Sequence, residues 1–315
     1  MKTKPSPERE VREIYATVTA RIVASVESGM RPWVQPWKVG VSGTRRPVRH
    51  SGEPYRGVNI LLLWSEAQER GFGSNRWMTY KQAGSVGAHV RKGERGCMVV
   101  YASRTTTGAN APEGGHATSE ELHGKSVAFL RAYTVFNIDQ LQGLPAVDVA
   151  TEQVETLPAV EHDARLNELI VGTGATIRHA GQRAFYAPDA DFVQMPAPAL
   201  FRDSTSYAAT LLHELAHWSG HPNRLAREFG RRFGDQAYAV EELVAELCSA
   251  FVCADLGIAA EPREDHAAYL ASWLKVLKED KRAVFSAAAH AQRAADFLEE
   301  LQGESVSKAE ELQAA

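Results

Sequence analysis

The chain has 315 residues, 44% of them hydrophobic and 23% charged, which suits two folded domains and excludes wholesale disorder or a fibrous repeat. No apolar run approaches the roughly eighteen residues of a membrane helix, and MKTKPSPEREVREIY lacks the apolar stretch of a signal peptide, so a cytoplasmic protein with no membrane partner is expected. The net charge of -4 hides an asymmetry: residues 1–150 carry 20 Lys and Arg against 13 Asp and Glu, and residues 151–315 carry 15 against 26.

In chain order, Val11, Ile14, Tyr15, Val18, Ile22 and Val26 recur at three- and four-residue spacings and predict an amphipathic helix over 7–28, ended by Gly29. Residues 30–57 are rich in Pro, Gly, Arg and Trp without a period and read as a long loop with room for short hairpin strands. A second helix is expected over 57–71, a short strand and a turn of helix over 76–90, and strands ending 91–104 and over 126–138 around a flexible excursion. The stretch from Leu141 to Val160 has no basic residue and two prolines, and reads as a linker. Beyond it come a helix near 161–171, strands near 175–179 and 183–187, a strand in Asp191–Pro196, and long helices through to Leu301. The expected architecture is α+β: a mixed domain over 1–145, a linker over 146–160, a second domain over 161–301 and a frayed polar tail over 302–315. Cys97, Cys248 and Cys253 show no CxxC spacing, which predicts reduced, buried thiols rather than disulfides or a thiolate metal site.

His213-Glu214-x-x-His217 carries the clearest chemistry. On a helix, residues four apart share a face, so both imidazoles reach one Zn2+ while Glu214 projects toward its open position as a base. Asp203, Ser204 and Ser206 precede the motif as capping residues, and Leu211, Leu212, Leu215 and Ala216 surround it. Titratable groups in so apolar a helix demand a partner, which argues against plain surface histidines. A third ligand is expected from Tyr238–Leu247, where Glu242 and Glu246 lie four apart on one helical face. A Glu ligand followed by an acidic group that orients a histidine is the logic of thermolysin-like zincins. The expected set is therefore His213, His217 and Glu242 on one zinc, with Glu246 behind them. Exchange of the two glutamates stays open, and so does a solvated acidic helix face. His221 is a transition-state donor or a surface residue rather than a ligand. Asp191–Pro196 is apolar enough to be the edge strand that pairs with a peptide.

The first half carries a different signature. From Arg31 to Arg104 there are 13 basic and four acidic residues, a candidate polyanion surface. Trp33, Trp37, Tyr55, Trp64, Trp77 and Tyr80 are interleaved with Arg31, Lys38, Arg45, Arg46, Arg49, Arg56, Arg76, Lys81, Arg91 and Lys92. Rings that stack on unpaired bases, beside cations that follow the phosphates, are how sequence-tolerant single-stranded-DNA binders work. For Trp64 and Trp77 the competing assignment is core. No helix-turn-helix, zinc finger or RNP motif is present, so readout of a duplex sequence is not expected.

RPWVQPWK, GEPYRGVNILLLW, RWMTYKQA, GAHVRKGERG and YTVFNIDQ, followed by YAPDADFVQMP, HELAHWSGHPNRL and YAVEELVAEL, together resemble the ArdC antirestriction proteins of conjugative plasmids. The resemblance covers nearly the whole chain in order. It implies an N-terminal single-stranded-DNA-binding domain, a C-terminal zincin-like metallopeptidase domain, and protection of incoming plasmid DNA from host restriction. Related domains occur in conjugative primases. Two function classes follow: a DNA-binding antirestriction factor, or a zinc protease delivered by its DNA-binding domain to nucleoprotein targets in the host. Glu214 discriminates them, because a structural site needs the ligands but not the base.

Overall fold

Apolar residues spaced at three and four positions become helix, and β-branched runs become strand, in the computed structural model, which describes residues 7–33, 46–107, 125–145, 159–228, 236–258 and 266–314. The N-terminal half holds α1 (Pro7–Glu27), α2 (Val58–Arg70) and α3 (Tyr80–Ser85). Its strands are β1 (Val48–Arg49), β2 (Arg76–Thr79), β3 (His89–Val90), β4 (Cys97–Thr107), β5 (Lys125–Asn137) and β6 (Leu141–Gln142). Four form a sheet in the order β1-β2-β5-β4, with β1 parallel to β2 and the other pairs antiparallel; β3 and β6 form a separate pair. Gly71 ends α2 at φ 67, a left-handed conformation that returns its N–H to the Ala67 carbonyl. Thr79 and Gln82 make a reciprocal capping box that turns β2 directly into α3.

The C-terminal half holds α4 (Ala159–Thr173), β7 (Ile177–His179), β8 (Phe185–Ala187), β9 (Phe192–Met195), α5 (Ser204–Ser219), α6 (Gln236–Leu256), α7 (His266–Glu279) and α8 (Ala283–Ala314). Two expectations change here. The strand expected at the sheet edge, within Asp191–Pro196, is β9, and it lies in the centre in the order β7-β9-β8, parallel to β7 and antiparallel to β8. Val193 and Met195 alternate fully buried, which a central strand over a core requires. The expected frayed tail beyond Leu301 is instead a continuation of α8. A Cβ added to Gly172 of α4 would stand 2.7 Å from the Gln302 Cα, so the two helix backbones meet where the tail was expected to begin.

The two halves share one apolar core running from Ile14 to Leu298. Trp64 of α2 packs edge to face on Phe251 of α6, and Trp33 on Trp273 of α7, with centroids 6.2 and 5.4 Å apart. Polar ties cross the same boundary: Thr19 Oγ1 donates to the Lys281 carbonyl at 2.7 Å, and Arg46 bonds Gln292 at 3.0 Å and pairs with Asp255. All three cysteines are buried and unpaired. No described helix is long and apolar enough to cross a membrane.

Candidate functional site

The site begins with the cap of α5. Asp203 accepts from the Ser206 N–H at 2.7 Å and starts the helix. The hydrogen bonds from the Ser206 hydroxyl and N–H, then Arg202, hold its carboxyl down to about 2. From this start, three turns carry His213, Glu214 and His217 to the side of α5 facing α6, and all but a small part of each is enclosed. The structure brings three expected ligands together: one donor atom each from His213, His217 and Glu242 lie within 4.8 Å of one another. The two Nε2 atoms are 3.2 Å apart, and the two oxygens of Glu242 divide between them, Oε2 lying 3.6 Å from that of His213 and Oε1 3.6 Å from that of His217. Two imidazoles and a carboxylate, enclosed and converging from two helices, are a donor set that fits a single divalent ion of the zinc type.

The other ring nitrogens face acids. His213 Nδ1 lies 3.6 Å from Glu246, the residue expected behind the ligands. His217 Nδ1 lies 3.2 Å from Glu241, a residue the sequence does not single out. With Glu241 accepting from Nδ1–H, His217 keeps its Nε2 lone pair for the cluster. Glu241 in turn takes two bonds from Arg227, at 3.0 and 2.8 Å. Burial opposes ionisation of Glu241, but His217 and Arg227 outweigh it and its carboxyl stays below the usual range. The balance is the same at Glu242: burial pushes up, and the bond from His213 with the proximity of both histidines draws it down to about 2. The signal that could have found Glu241 is its adjacency to Glu242, in a helix whose other two glutamates, Glu242 and Glu246, both face histidines.

An open cleft of about 530 Å³ exposes this cluster, lined by His213, Glu214, His217 and Glu242 on one side and by Arg183–Tyr186 and Pro188 on the other. The strand flanking the cleft is thus β8, not β9. Tyr186 at its centre donates to Asp191 at 2.8 Å, and Arg224 anchors Asp191 at 3.0 Å and stacks on Trp218, which ties the strand to the segment after the motif helix. Tyr238 and Tyr269 also line the cleft, with hydroxyls 3.1 Å apart. Burial, then the bond to Tyr269 and the nearby Glu242, push the Tyr238 hydroxyl well above its usual range, so it stays a donor. His221 accepts the Asn223 N–H at 3.2 Å and is not among the residues lining the cleft.

The residues expected to bind nucleic acid divide sharply. Trp33 is 4% exposed and Trp77 fully buried against Phe72, so neither ring is open to a base. Trp33 is covered by Trp273, from a helix 240 positions later in sequence, and the composition of its own loop could not reveal that. Arg46 is 5% exposed, sits over the Phe251 ring and is committed to Gln292 and Asp255. It ties the halves together and offers nothing to a phosphate. Tyr55 is buried beneath Arg49, 5.6 Å from its ring, and burial pushes its hydroxyl up to about 12. Arg49, Arg56, Lys81, Arg91 and Lys92 are exposed. Trp37 and Arg45 lie outside the described residues. Among the described residues of this half, the large rings that stand exposed are Tyr80, which belongs to the basic and aromatic stretch read from the sequence, and Tyr101 and Tyr133, which the sequence does not single out.

Known proteins place both halves. The N-terminal domain of anti-restriction factor ArdC matches residues 12–136, and a zincin-like metallopeptidase domain matches residues 164–290. The y4eC protein of Sinorhizobium fredii is 42% identical over 91% of both chains. The DNA primase TraC of Escherichia coli is 37% identical over 91% of this chain, which spans 27% of that longer protein. Two crystal structures of the antirestriction ArdC protein from plasmid R388, each 40% identical to this chain, superpose on it. The metal-free one has a TM-score of 0.75 and covers 92% of this chain and 98% of its own; the Mn(II)-bound one has a TM-score of 0.72 and covers 91% and 97%. With both domains matched in order and a solved relative covered almost end to end, the chain belongs to the ArdC antirestriction family.

Proposed function

We propose that this chain protects incoming plasmid DNA from host restriction by binding single-stranded DNA without sequence preference, and that its C-terminal cleft holds one zinc ion on His213, His217 and Glu242. The observation that carries the DNA reading is the exposed cationic set Arg49, Arg56, Lys81, Arg91 and Lys92 on a domain of the ArdC type. Arg49, Arg56 and Arg91 stand in surface pairs with Glu53, Asp296 and Glu94, weak enough to exchange for phosphates, and with Lys81 and Lys92 they would neutralise phosphates whatever the base sequence. Fluorescence anisotropy of the full chain with a labelled single strand, and with the matching duplex, over a salt series tests it. Tighter binding to the single strand that weakens steeply with salt is expected; absent or salt-indifferent binding overturns it.

For the zinc site, the enclosed His, His and Glu donors support the ion, and when bound it supplies a Lewis acid that polarises a carbonyl and acidifies water. Glu214 lines the cleft beside the cluster and is the group placed to take a proton from a water held there. Tyr238 lines the same cleft, and its hydroxyl is the donor that would bond an oxygen gaining charge there. A second reading, a protease directed at host nucleoprotein, is favoured by β8: among the described residues it pairs only with β9, which leaves its cleft-side edge for an extended peptide.

A further inference from the structure

We propose that the open end of one face of the N-terminal sheet is a pocket for a single unpaired nucleobase, stacked against Tyr101 and Tyr133, with Arg49 and Arg131 taking the flanking phosphates. The inference rests on the single-stranded-DNA reading above and assigns that reading its place. Strand register puts these residues together. Val99 pairs with Tyr133 and Tyr101 with Arg131 across β4 and β5; Thr79 pairs with Val135, and Arg49 with Trp77. Alternation along each strand then gathers Arg49, Thr79, Val99, Tyr101, Arg131 and Tyr133 on one face. At one end of that face Trp77, Cys97 and Val135 are buried beneath the helices. At the other the cover ends, and Tyr101 and Tyr133 stand 51% and 45% exposed, in edge-to-face contact with centroids 6.5 Å apart.

Between them and Arg49 is a concavity of about 240 Å³, with Tyr55, Val99 and Val135 in its lining. A site of apolar walls and aromatic rings rimmed by cations complements a base between phosphates. The amides there are largely committed to the protein itself. Asn59 clasps both the N–H and the carbonyl of Val100 at 2.8 Å, and the Gln82 carbonyl accepts from the Thr79 N–H at 2.8 Å. Stacking rather than base-edge readout is therefore left to hold the ligand, as binding without sequence preference requires. The Asn59 clasp also occupies the edge of β4 at Val100, which disfavours a peptide added there as a strand. Arg49 pairs with the exposed Glu53 at 2.9 Å, a surface contact weak enough to exchange for a phosphate.

The test uses the full chain, a labelled oligothymidylate and the same backbone made abasic. Tyr101→Ala and Tyr133→Ala are each expected to bind oligothymidylate at least about fivefold more weakly than wild type. Tyr101→Phe and Tyr133→Phe should bind like wild type, and the abasic strand should bind all five proteins alike. Circular dichroism and melting confirm that each variant is folded. If wild type binds and the folded alanine variants bind equally well, the pocket is overturned and the single-strand reading stands. If wild type binds neither strand at low salt, both fall. Should an alanine variant fail to fold, photocrosslinking of wild type to an iododeoxyuridine-bearing strand decides: adducts at Tyr101 or Tyr133 support the pocket, and adducts only elsewhere overturn it.

Discussion

Glu241 lies 3.2 Å from His217 Nδ1 while its two oxygens accept from Arg227, so an enclosed ion pair fixes the tautomer of one proposed metal ligand. Partners of this kind raise ligand basicity and hold the ring in aim. Glu241→Gln is therefore expected to keep the fold but lower metal affinity by about 10- to 100-fold, read by competition with a chromogenic chelator. Unchanged affinity contradicts the role.

Arg227 and Glu241 have side chains only 4% and 6% exposed. Removing the cation alone leaves a carboxylate enclosed without its counter-charge. Arg227→Met should lower unfolding stability by about 3–5 kcal/mol in urea titrations. Arg227→Met with Glu241→Gln should recover part of that loss, because the stranded charge is gone; a purely additive double variant argues against the pair.

One zinc per chain is expected, lost on His213→Ala or on His217→Ala, since two remaining protein ligands do not hold the ion against water. Elemental analysis of the purified variants checks this, and full occupancy in both contradicts the ligand set. Glu242→Ala should behave likewise. Loss with Glu246→Ala in its place would exchange the two glutamates.

At the boundary between halves, burial pushes the Asp255 carboxyl up to about 7, with Arg46 pulling down and Glu299 pushing up. The folded chain thus holds a proton that the unfolded chain, with this carboxyl near 3.8, has already released between those values. The cluster consequently favours folding more at pH 5 than at pH 8. Melting temperatures compared between wild type and Asp255→Asn should show the wild type's relative advantage shrinking as pH rises through 7. A difference that does not vary with pH removes Asp255 from this role.

How much of this was legible in the sequence follows the range of the interactions. His213, Glu214, His217 and Glu242 were readable because helical spacing alone sets which face each occupies. Glu241 was not, because its value depends on the second ring nitrogen of His217 and on Arg227, which a separate segment returns to α5. The central place of β9 follows from β7 and β8 pairing on either side of it, and strand order is not written in a four-residue alternation. Trp33 and Arg46 read as surface groups because their basic, proline-rich surroundings resemble a binding loop. Trp273, which covers the one, and Gln292 and Asp255, which bond the other, come from the far half of the chain. Conversely, Tyr101 and Tyr133 lie in runs that look like buried strand, and only the point where the helical cover stops makes them surface.

Under the proposed function, protection follows from DNA binding by the N-terminal half rather than from chemistry at the cleft. Transfer of a plasmid bearing restriction sites into a restricting host, with wild type and Glu214→Ala expressed at equal levels, tests this most directly. Glu214→Ala should retain most of the protection, with single-strand affinity and metal content unchanged. Loss of protection in that variant while it still binds DNA and metal contradicts the account and makes the cleft a working protease.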